Sequence, residues 1–206
     1  MEEGITVPKV RLTKNELKKQ KDALKRYVQY LPALVLKKQQ LQSEILKIVR
    51  KREKLKEEKA YIKAKIYEWV DVFSEGFAIE EYIQKKEVET TLENISGIDI
   101  PVYKRTIFEE KEYDLYNTPI WVEYGIEAIK QLVEHNAKIE INKKQEKLVR
   151  EELRITTQRV NLFEKVMIPQ SNENIKKIQI YLGDMQTAAV VTGKIAKAKI
   201  IKLIKR

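Results

Sequence analysis

The sequence contains no cysteine, only six glycines and only five prolines among its 206 residues. Without cysteine the chain forms neither disulfides nor thiolate metal sites, which fits a reducing compartment. The scarcity of glycine and proline disfavours β-sandwiches and β-barrels, because those folds need frequent turn residues. With 35% charged and 43% hydrophobic residues, the composition favours long helices instead.

Long apolar runs are also missing. No run approaches the roughly 18 apolar residues that a membrane-spanning helix needs. The opening stretch MEEGITVPKV is acidic and lacks the apolar core of a signal peptide. We therefore expect any association with a membrane to occur through a partner or along the membrane surface.

Positive charge dominates, with 41 lysines and arginines against 31 acidic residues and a net charge of +10. A basic balance predicts an acidic partner, which can be nucleic acid, anionic lipid or an acidic protein surface. A solvated helix surface rich in lysine is the alternative. The most concentrated basic patch is KIAKAKIIKLIKR, residues 194–206.

Residues 13–73 are predicted to form one long helix. Thr13 suits the N-cap, with Glu16 as its capping-box partner, and Pro32 predicts a local kink. Two rows repeat every seven residues at alternating spacings of three and four, the a/d pattern of a left-handed coiled coil. One row is Leu17, Leu24, Leu31, Lys38, Ile45, Arg52, Lys59, Ile66 and Phe73, and the other is Gln20, Tyr27, Leu34, Leu41, Ile48, Leu55, Ile62 and Trp69.

The pattern changes over residues 74–118. Two stretches rich in β-branched residues, near 88–95 and 100–108, predict the strands of a β-hairpin. Gly97 provides the backbone freedom for its turn, and Pro101 is tolerated at an edge or at a strand start. Because two strands alone are marginal in water, we expect the hairpin to lean on the helices or on a partner.

A second long helix is predicted over residues 119–206, with Asn117 or Thr118 as its cap and Pro119 in its first turn. Its apolar residues are again seven apart, with a change of phase near Pro169, where we expect a bend or local unwinding. The rows are Ile141, Leu148, Ile155 and Leu162 before this proline, and Ile175, Leu182, Ala189, Ala196 and Leu203 after it. We therefore predict a single elongated, mainly α domain, in which the N- and C-terminal helices form an antiparallel coiled coil with the two termini together.

Residues that could catalyse a reaction or hold a metal are sparse. His135 is the only histidine, so we interpret it as a surface residue. The Gly-Lys pair at 193–194 lacks the first glycine and the hydroxyl residue of a phosphate-binding loop. Trp69 and Trp121 are interpreted as packing anchors. An acidic run is interpreted as a solvated strand end and comprises Glu109, Glu110, Glu112 and Asp114. We expect no catalytic residue, no cofactor and no metal.

The stretch QRVNLFEKVMIP, residues 158–169, resembles a C-terminal signature of the D subunits of the archaeal/vacuolar-type rotary ATPases. The residues that match are Arg159, Val160, Asn161, Glu164, Ile168, Pro169, Ile175 and Lys176. Gln158 replaces the first arginine of the family pattern, and Leu162-Phe163 replaces its Ala-Leu pair. NISGIDIP, residues 94–101, is similar to the family's hairpin segment at Asn94, Ile95, Gly97 and Pro101. The run Lys37-Lys38-Gln39-Gln40-Leu41 departs from the family pattern.

The resemblance implies a role as the central rotor shaft, or central stalk, of a rotary motor. Such a shaft transmits torque between ATP synthesis or hydrolysis in the head and the translocation of protons or sodium ions. Its implied partners are the A and B subunits of the catalytic head, the small F subunit and the funnel-shaped subunit that caps the membrane ring. The chain would then be non-catalytic, cytoplasmic and peripheral to the membrane as part of the complex. The matched residues, together with Leu162, are expected to form partner interfaces.

Two hypotheses from other functional classes stay open. A prefoldin-like chaperone also combines a helical hairpin with β-hairpins, but its client-gripping tips should be apolar, whereas this tail is basic. A nucleic-acid-binding coiled-coil arm agrees with the charge, but no aromatic residue follows Tyr181 to stack on bases. We therefore expect no nucleic-acid partner.

Overall fold

A computed structural model describes residues 10–68, 82–111, 118–119 and 121–204. Helix α1 comes first and is followed by two antiparallel strands, β1 and β2. A second helical stretch then consists of α2, a five-residue π-helical segment that we call the π turn, and α3. The bounds are α1 Lys14–Tyr67, β1 Ile83–Ile95, β2 Ile98–Glu110, α2 Trp121–Leu162, the π turn Phe163–Met167 and α3 Ile168–Ile204. The predicted fold class, mainly α with a central β-hairpin, is confirmed.

The chain divides into two compact units. The terminal unit comprises residues 1–36 and 157–206, and the hairpin unit comprises residues 37–156.

Helix α1 begins as predicted. The backbone N–H of Glu16 donates to Thr13 Oγ1 at 3.2 Å, so Thr13 is the N-cap. The reciprocal half of the capping box is not formed, because Glu16 Oε1 accepts from Gln20 Nε2 at 2.9 Å and the Thr13 N–H donates to the carbonyl of Arg11. The helix ends at Tyr67, six residues earlier than predicted. Trp69 and Phe73, the last members of the two predicted rows, lie outside the described residues.

The two predicted heptad rows of α1 are confirmed. Every described member of both rows is buried or partly buried, including the polar Lys38, Arg52 and Lys59. Large apolar residues outside the rows, such as Leu36 and Leu46, are exposed. The helix continues through Pro32, and the kink there stays a prediction.

The β-hairpin is confirmed, with strands longer than predicted. Ser96 and Gly97 connect them, and both have positive φ values, 53° and 83°. Positive φ at both central residues defines a two-residue type I′ turn, whose twist matches that of the strands. Pro101 lies inside β2 opposite Leu92 and not at the strand start. It is tolerated because both strands of a two-stranded sheet are edge strands.

The hairpin packs against the helices, as expected. Ile100 of β2 is buried in a cluster with Leu41, Ile45 and Ile48 of α1 and Val149 of α2. A second cluster, at the other end of the strands, joins residues of the hairpin to the start of α2: Ile83, Phe108, Trp121, Val122 and Ile126. The prediction that Trp121 is a packing anchor is therefore confirmed.

The predicted heptad row of α2 is confirmed at Ile141, which is buried, and at Ile155, which is partly buried, but it fails at the other two positions. Leu148 and Leu162 are 42% and 45% exposed. The buried row runs one position later, through Asn142, Val149 and Thr156. Because two of those three residues are polar, apolar spacing pointed to the neighbouring row. In α3 the predicted row holds for Ile175 and Leu182, which are partly buried, and then fails at the exposed Ala189, Ala196 and Leu203.

The predicted start of the second helix is two residues early. The N–H of Val122 donates to the carbonyl of Pro119, and α2 begins at Trp121. Of the two predicted caps, Asn117 lies outside the described residues.

The described ends of the chain do not lie together, contrary to the prediction. Val10 and Arg11 line a cavity with Gln170 and Ser171. Helix α3 continues for more than thirty residues beyond Ser171, to Ile204, which at 1.5 Å per residue is roughly 50 Å. The second helical stretch therefore extends beyond the start of α1, because α1 begins only at Lys14.

Candidate interaction surfaces

The signature residues at 159–176 lie on the last turn of α2, on the π turn and on α3. The structure does not bring them all to one surface. Val160 is buried, and Ile168 and Ile175 are partly buried. The exposed members are Arg159, Asn161, Leu162, Glu164, Pro169 and Lys176. These six are the signature residues available to a partner, whereas the other three contribute to the inward-facing seam.

The inward side of this segment packs against the start of α1. The rings of Tyr27 and Phe163 lie 5.2 Å apart, centroid to centroid, at an angle of 47°. Next to them is a largely polar cavity of about 350 Å³, lined by Gln20, Met167, Ser171 and others. The π turn is thus anchored on one side by an aromatic contact.

The predicted hairpin residues shape and dock the hairpin. Asn94 accepts the N–H of Gly97 at 3.1 Å through Oδ1 and donates to Asp99 at 2.7 Å through Nδ2, which closes the turn. Ile95 packs on the Leu41 cluster. The carbonyl of Pro101 accepts from Gln145 Nε2 of α2 at 2.6 Å. Their roles are structural in this chain taken alone.

The outer face of the hairpin is exposed and carries charge. Glu89 of β1 receives two hydrogen bonds from Arg105 of β2, both of 2.9 Å, and an ion pair from Lys104 at 3.4 Å. The hydrogen bond from Arg105 is the main cause that holds the pKa of Glu89 below its ordinary value. Leu92 on the same strand is 73% exposed. This face is a candidate partner surface.

A buried ion cluster connects α1 and α2 beneath the hairpin. Glu146 accepts from Arg52 of α1 and from Arg150 of α2, the latter at 2.7 Å. Burial raises the pKa of the Glu146 carboxyl, but the hydrogen bonds from Arg150 and Arg52 outweigh that effect, and its pKa lies below the ordinary value of 4.5. Glu146 was not predicted from the sequence, although the charged Arg52 in a row that faces inward was the signal that an acidic partner faced it.

An apolar groove of about 600 Å³ lies where the end of α1 meets the start of α2. Ile62 and Ile66 line it from α1, and Trp121, Tyr124 and Ala128 line it from α2. The aromatic residues Tyr61, Tyr67 and Tyr124 are exposed nearby. This surface was not predicted from the sequence, although the concentration of tyrosine near the two tryptophans was the available signal.

The part of the chain that the structure describes offers little evidence of a metal-binding or catalytic site. No group of three histidine or acidic side chains able to hold a metal occurs among those residues. Glu109 and Glu110 are exposed at the end of β2, and Glu110 pairs with Lys130 at 2.8 Å. Glu112 and Asp114 lie outside the described residues. No helix over the described ranges is long and apolar enough to cross a membrane.

His135 is not the surface residue that the sequence suggested. Its side chain is only 16% exposed, and its Nε2 lies 3.5 Å from Glu58 Oε2 of α1. Its Nδ1 makes a 2.8 Å hydrogen bond with the carbonyl of Gln131. The histidine therefore lies between α1 and α2, because the pairing of these helices brings Glu58 over it.

The positive charge is unevenly distributed between the two units. The terminal unit contains 18 lysines and arginines against 7 acidic residues, whereas the hairpin unit contains 23 against 24. The excess positive charge of the chain therefore resides in the terminal unit. Four exposed lysines of α3 contribute to it: Lys194, Lys197, Lys199 and Lys202.

Comparison with known proteins covers nearly the whole chain. Residues 16–198 match the family model that describes the D subunit of ATP synthase. The D subunit of a V-type ATP synthase from Borreliella burgdorferi is 52% identical over 194 residues, which are 94% of this chain and 96% of that protein. Proteins of the same name from Chlamydia pneumoniae and Chlamydia caviae are each 36% identical, over 93% of both chains.

Proposed function

Because this chain belongs to the family of ATP synthase D subunits, we propose that it is the central stalk subunit of a V-type ATP synthase, a non-catalytic rotor shaft. In this role it transmits torque between a catalytic head, where ATP is made or hydrolysed, and the membrane part, where protons or sodium ions cross. The proposal rests above all on the sequence match, which covers almost the entire length of both this chain and its relatives.

The helices have the properties that torque transmission requires. Helix α1 is an uninterrupted α-helix of 54 residues, which corresponds to roughly 80 Å. Its two apolar rows are the seam of a coiled coil, in which helices brace each other against bending and twisting. The Arg52–Glu146 ion pair and the Lys37–Glu152 ion pair of 2.7 Å fix α1 to α2.

The proposed partners are the A and B subunits of the head, the small F subunit and the funnel-shaped subunit on the membrane ring. The basic terminal unit suits acidic surfaces of the head, because exposed cations attract acidic loops without deep anchoring. The hairpin unit has no such excess of charge. Its exposed hairpin face and its apolar groove suit the F subunit and the funnel-shaped subunit. Membrane contact occurs only through the complex.

The exposed signature residues are assigned to the partner interface. Arg159 and Leu162 share a face of the last turn of α2, and Pro169 and Lys176 share a face of α3, two turns apart. Val160 and Ile175 are assigned instead to the seam, since they face inward. No catalytic group, metal or cofactor is assigned to this chain.

Co-expression with the A, B and F subunits tests the proposal. We expect the chain to purify in a defined complex with all three. Strong, salt-sensitive binding of the isolated chain to RNA, without recovery of A, B or F, would instead support a nucleic-acid-binding arm. Capture of unfolded clients by the isolated chain would support a chaperone.

A further inference from the structure

The π turn Phe163–Met167 contains one residue more than a regular helix. At its end the N–H of Ile168 donates to the carbonyl of Phe163, five residues back, instead of the four-residue step of an α-helix. Single π turns inside α-helices are frequent at functional sites. The helix is otherwise continuous on both sides, from Trp121 to Ile204.

The spacing of the inward-facing residues along the helix shows the same extra residue. In a regular heptad pattern, equivalent inward positions recur 14 residues apart after two repeats. Across the π turn they recur 15 residues apart, from the buried Val160 to the partly buried Ile175 and from Phe163 to the buried Ile178. The π turn therefore absorbs one inserted residue and keeps both sides of the helix in contact with their seam.

Pro169 limits where the π turn can lie. It has no N–H, so it can make neither the bond to the carbonyl of Lys165 in an α pattern nor the bond to that of Glu164 in a π pattern. Its ring also crowds the carbonyl four residues back in a regular helix, so the hydrogen-bond ladder is interrupted at Pro169 in either pattern. Towards the N-terminus, every residue from Gln158 to Met167 has an N–H, because none is proline. At those positions each backbone N–H can donate either to the carbonyl four residues back or to the carbonyl five residues back.

The side chains of the π turn leave one face free to move. Phe163 is held against Tyr27, and Met167 is partly buried. Glu164, Lys165 and Val166 are exposed, and neither charged residue forms an ion pair with any residue that the structure describes. Exchange of backbone hydrogen bonds on this face would therefore disturb no described ion pair.

We propose that the π turn is the torsionally soft point of the stalk helix, a one-residue insertion bounded by Pro169 that yields under torque while the adjoining α-helices stay rigid. The inference rests on the proposed shaft function for its purpose, but its structural part stands on the spacing of the seam. It adds a location for compliance within the shaft.

The structural part is tested in the full-length chain by removing the extra residue. The variant deletes Lys165, an exposed residue of the π turn that is not assigned to a partner interface, so that inward positions lie 14 residues apart. Pro169 stays in place, as Pro32 does inside the continuous helix α1. We expect its melting temperature to stay within about 3 °C of wild type. We also expect the amides of residues 163–168 to exchange with deuterium at least tenfold more slowly than in wild type, because the exchangeable bonds are gone.

A matched deletion controls for the loss of any residue. Glu151 is equally exposed but lies in a regular part of α2, so its deletion rotates the seam out of register. We expect that deletion to lower the melting temperature by more than about 10 °C. If the Lys165 deletion lowers the melting temperature as much as the Glu151 deletion, or leaves amide exchange unchanged, the π turn is not a removable, soft insertion and the proposal is overturned.

The mechanical part is tested in the assembled, membrane-reconstituted complex. We expect the variant to assemble normally and to pump ions several-fold more slowly than wild type against a steep ion gradient, with a smaller difference without a gradient. Equal rates under both conditions would contradict a mechanical role for the π turn. If the wild-type chain itself fails to assemble, the shaft function is contradicted, while the exchange and melting results still decide the structural part.

Discussion

Glu146 of α2 connects this helix to α1 within the hairpin unit. It binds Arg52 of α1 and Arg150 of α2, and the adjacent Gln145 holds the carbonyl of Pro101 in β2. Its side chain is only 11% exposed. A buried carboxylate of this kind is costly to remove, because its arginine partner is then left buried without a counter-charge.

Replacement of this carboxylate tests its contribution to stability. We expect Glu146→Gln to lower the free energy of unfolding by about 3 kcal/mol, measured by urea denaturation at pH 7. Glu140→Gln is the control, because Glu140 forms an exposed ion pair with Lys143, so this substitution should leave the free energy of unfolding almost unchanged. Equal losses of unfolding free energy in the two variants would show that the Glu146 cluster stabilises the fold no more than an exposed ion pair does.

The pH dependence of stability provides a second test of the same residue. Because the pKa of Glu146 is lowered on folding, its stabilising effect is complete above its unfolded pKa, near the ordinary value of 4.5, and is lost as the pH falls through the lower folded pKa. We expect the unfolding free energy of wild type to fall more steeply below pH 4.5 than that of Glu146→Gln. Parallel profiles for the two proteins would rule out this contribution.

Among the elements, the hairpin depends on the helices for its stability. Its strands bury Ile100 against Leu41 and Val149, whereas Leu92 on the outer side is exposed. Removal of a buried isoleucine side chain leaves a cavity that the packed helices fill only in part.

Truncation on the two faces of the hairpin tests this dependence. We expect Ile100→Ala to lower the free energy of unfolding by about 3 kcal/mol and Leu92→Ala to change it by less than about 0.5 kcal/mol. Chemical denaturation of both variants measures the difference. A loss for Leu92→Ala as large as that for Ile100→Ala would mean that the packed face has been assigned incorrectly.

The elements also differ in how far sequence predicts them. The rows of α1 were predictable because most of their positions from Leu17 to Ile66 are apolar and keep the heptad spacing. The buried side of α2 was predictable only in part, because the polar Asn142 and Thr156 belong to it beside Ile141 and their contacts depend on the tertiary structure. Pro169 indicated a disturbance in the second helix, but the π turn itself could not be derived, since helical spacing does not show which backbone bonds take the extra residue.

For the candidate surfaces, sequence supplied the family signature but not its geometry. The signature at 159–176 contains both seam residues and exposed residues, and only the fold separates Val160 from Arg159. The role of Gly97 in the turn was predicted, whereas Asn94 was predicted only as part of the family's hairpin segment. The groove beside Trp121 required the pairing of α1 with α2, which no local pattern specifies.

At the scale of the whole molecule, the excess of positive charge in the terminal unit suggests an electrostatic fit with the head. Reversal of Lys194, Lys197, Lys199 and Lys202 to glutamate tests it in the assembled complex. We expect the ratio of ions pumped to ATP hydrolysed to fall at least twofold, because the four introduced glutamates would repel acidic surfaces of the head. Reversal of Lys143, Lys144 and Lys147, exposed in the hairpin unit, is the control. Unchanged coupling in the four-lysine variant would refute the charge match.

The shaft function itself is tested most directly by omission of this chain from a reconstituted V-type complex. ATP hydrolysis and ATP-driven ion pumping into vesicles are measured in the same preparation, first without the chain and then after it is added back. A torque-transmitting shaft predicts that the head still hydrolyses ATP without it, that pumping is absent, and that the added chain restores pumping. Pumping at the full rate in complexes that lack the chain would contradict its assignment as the central stalk.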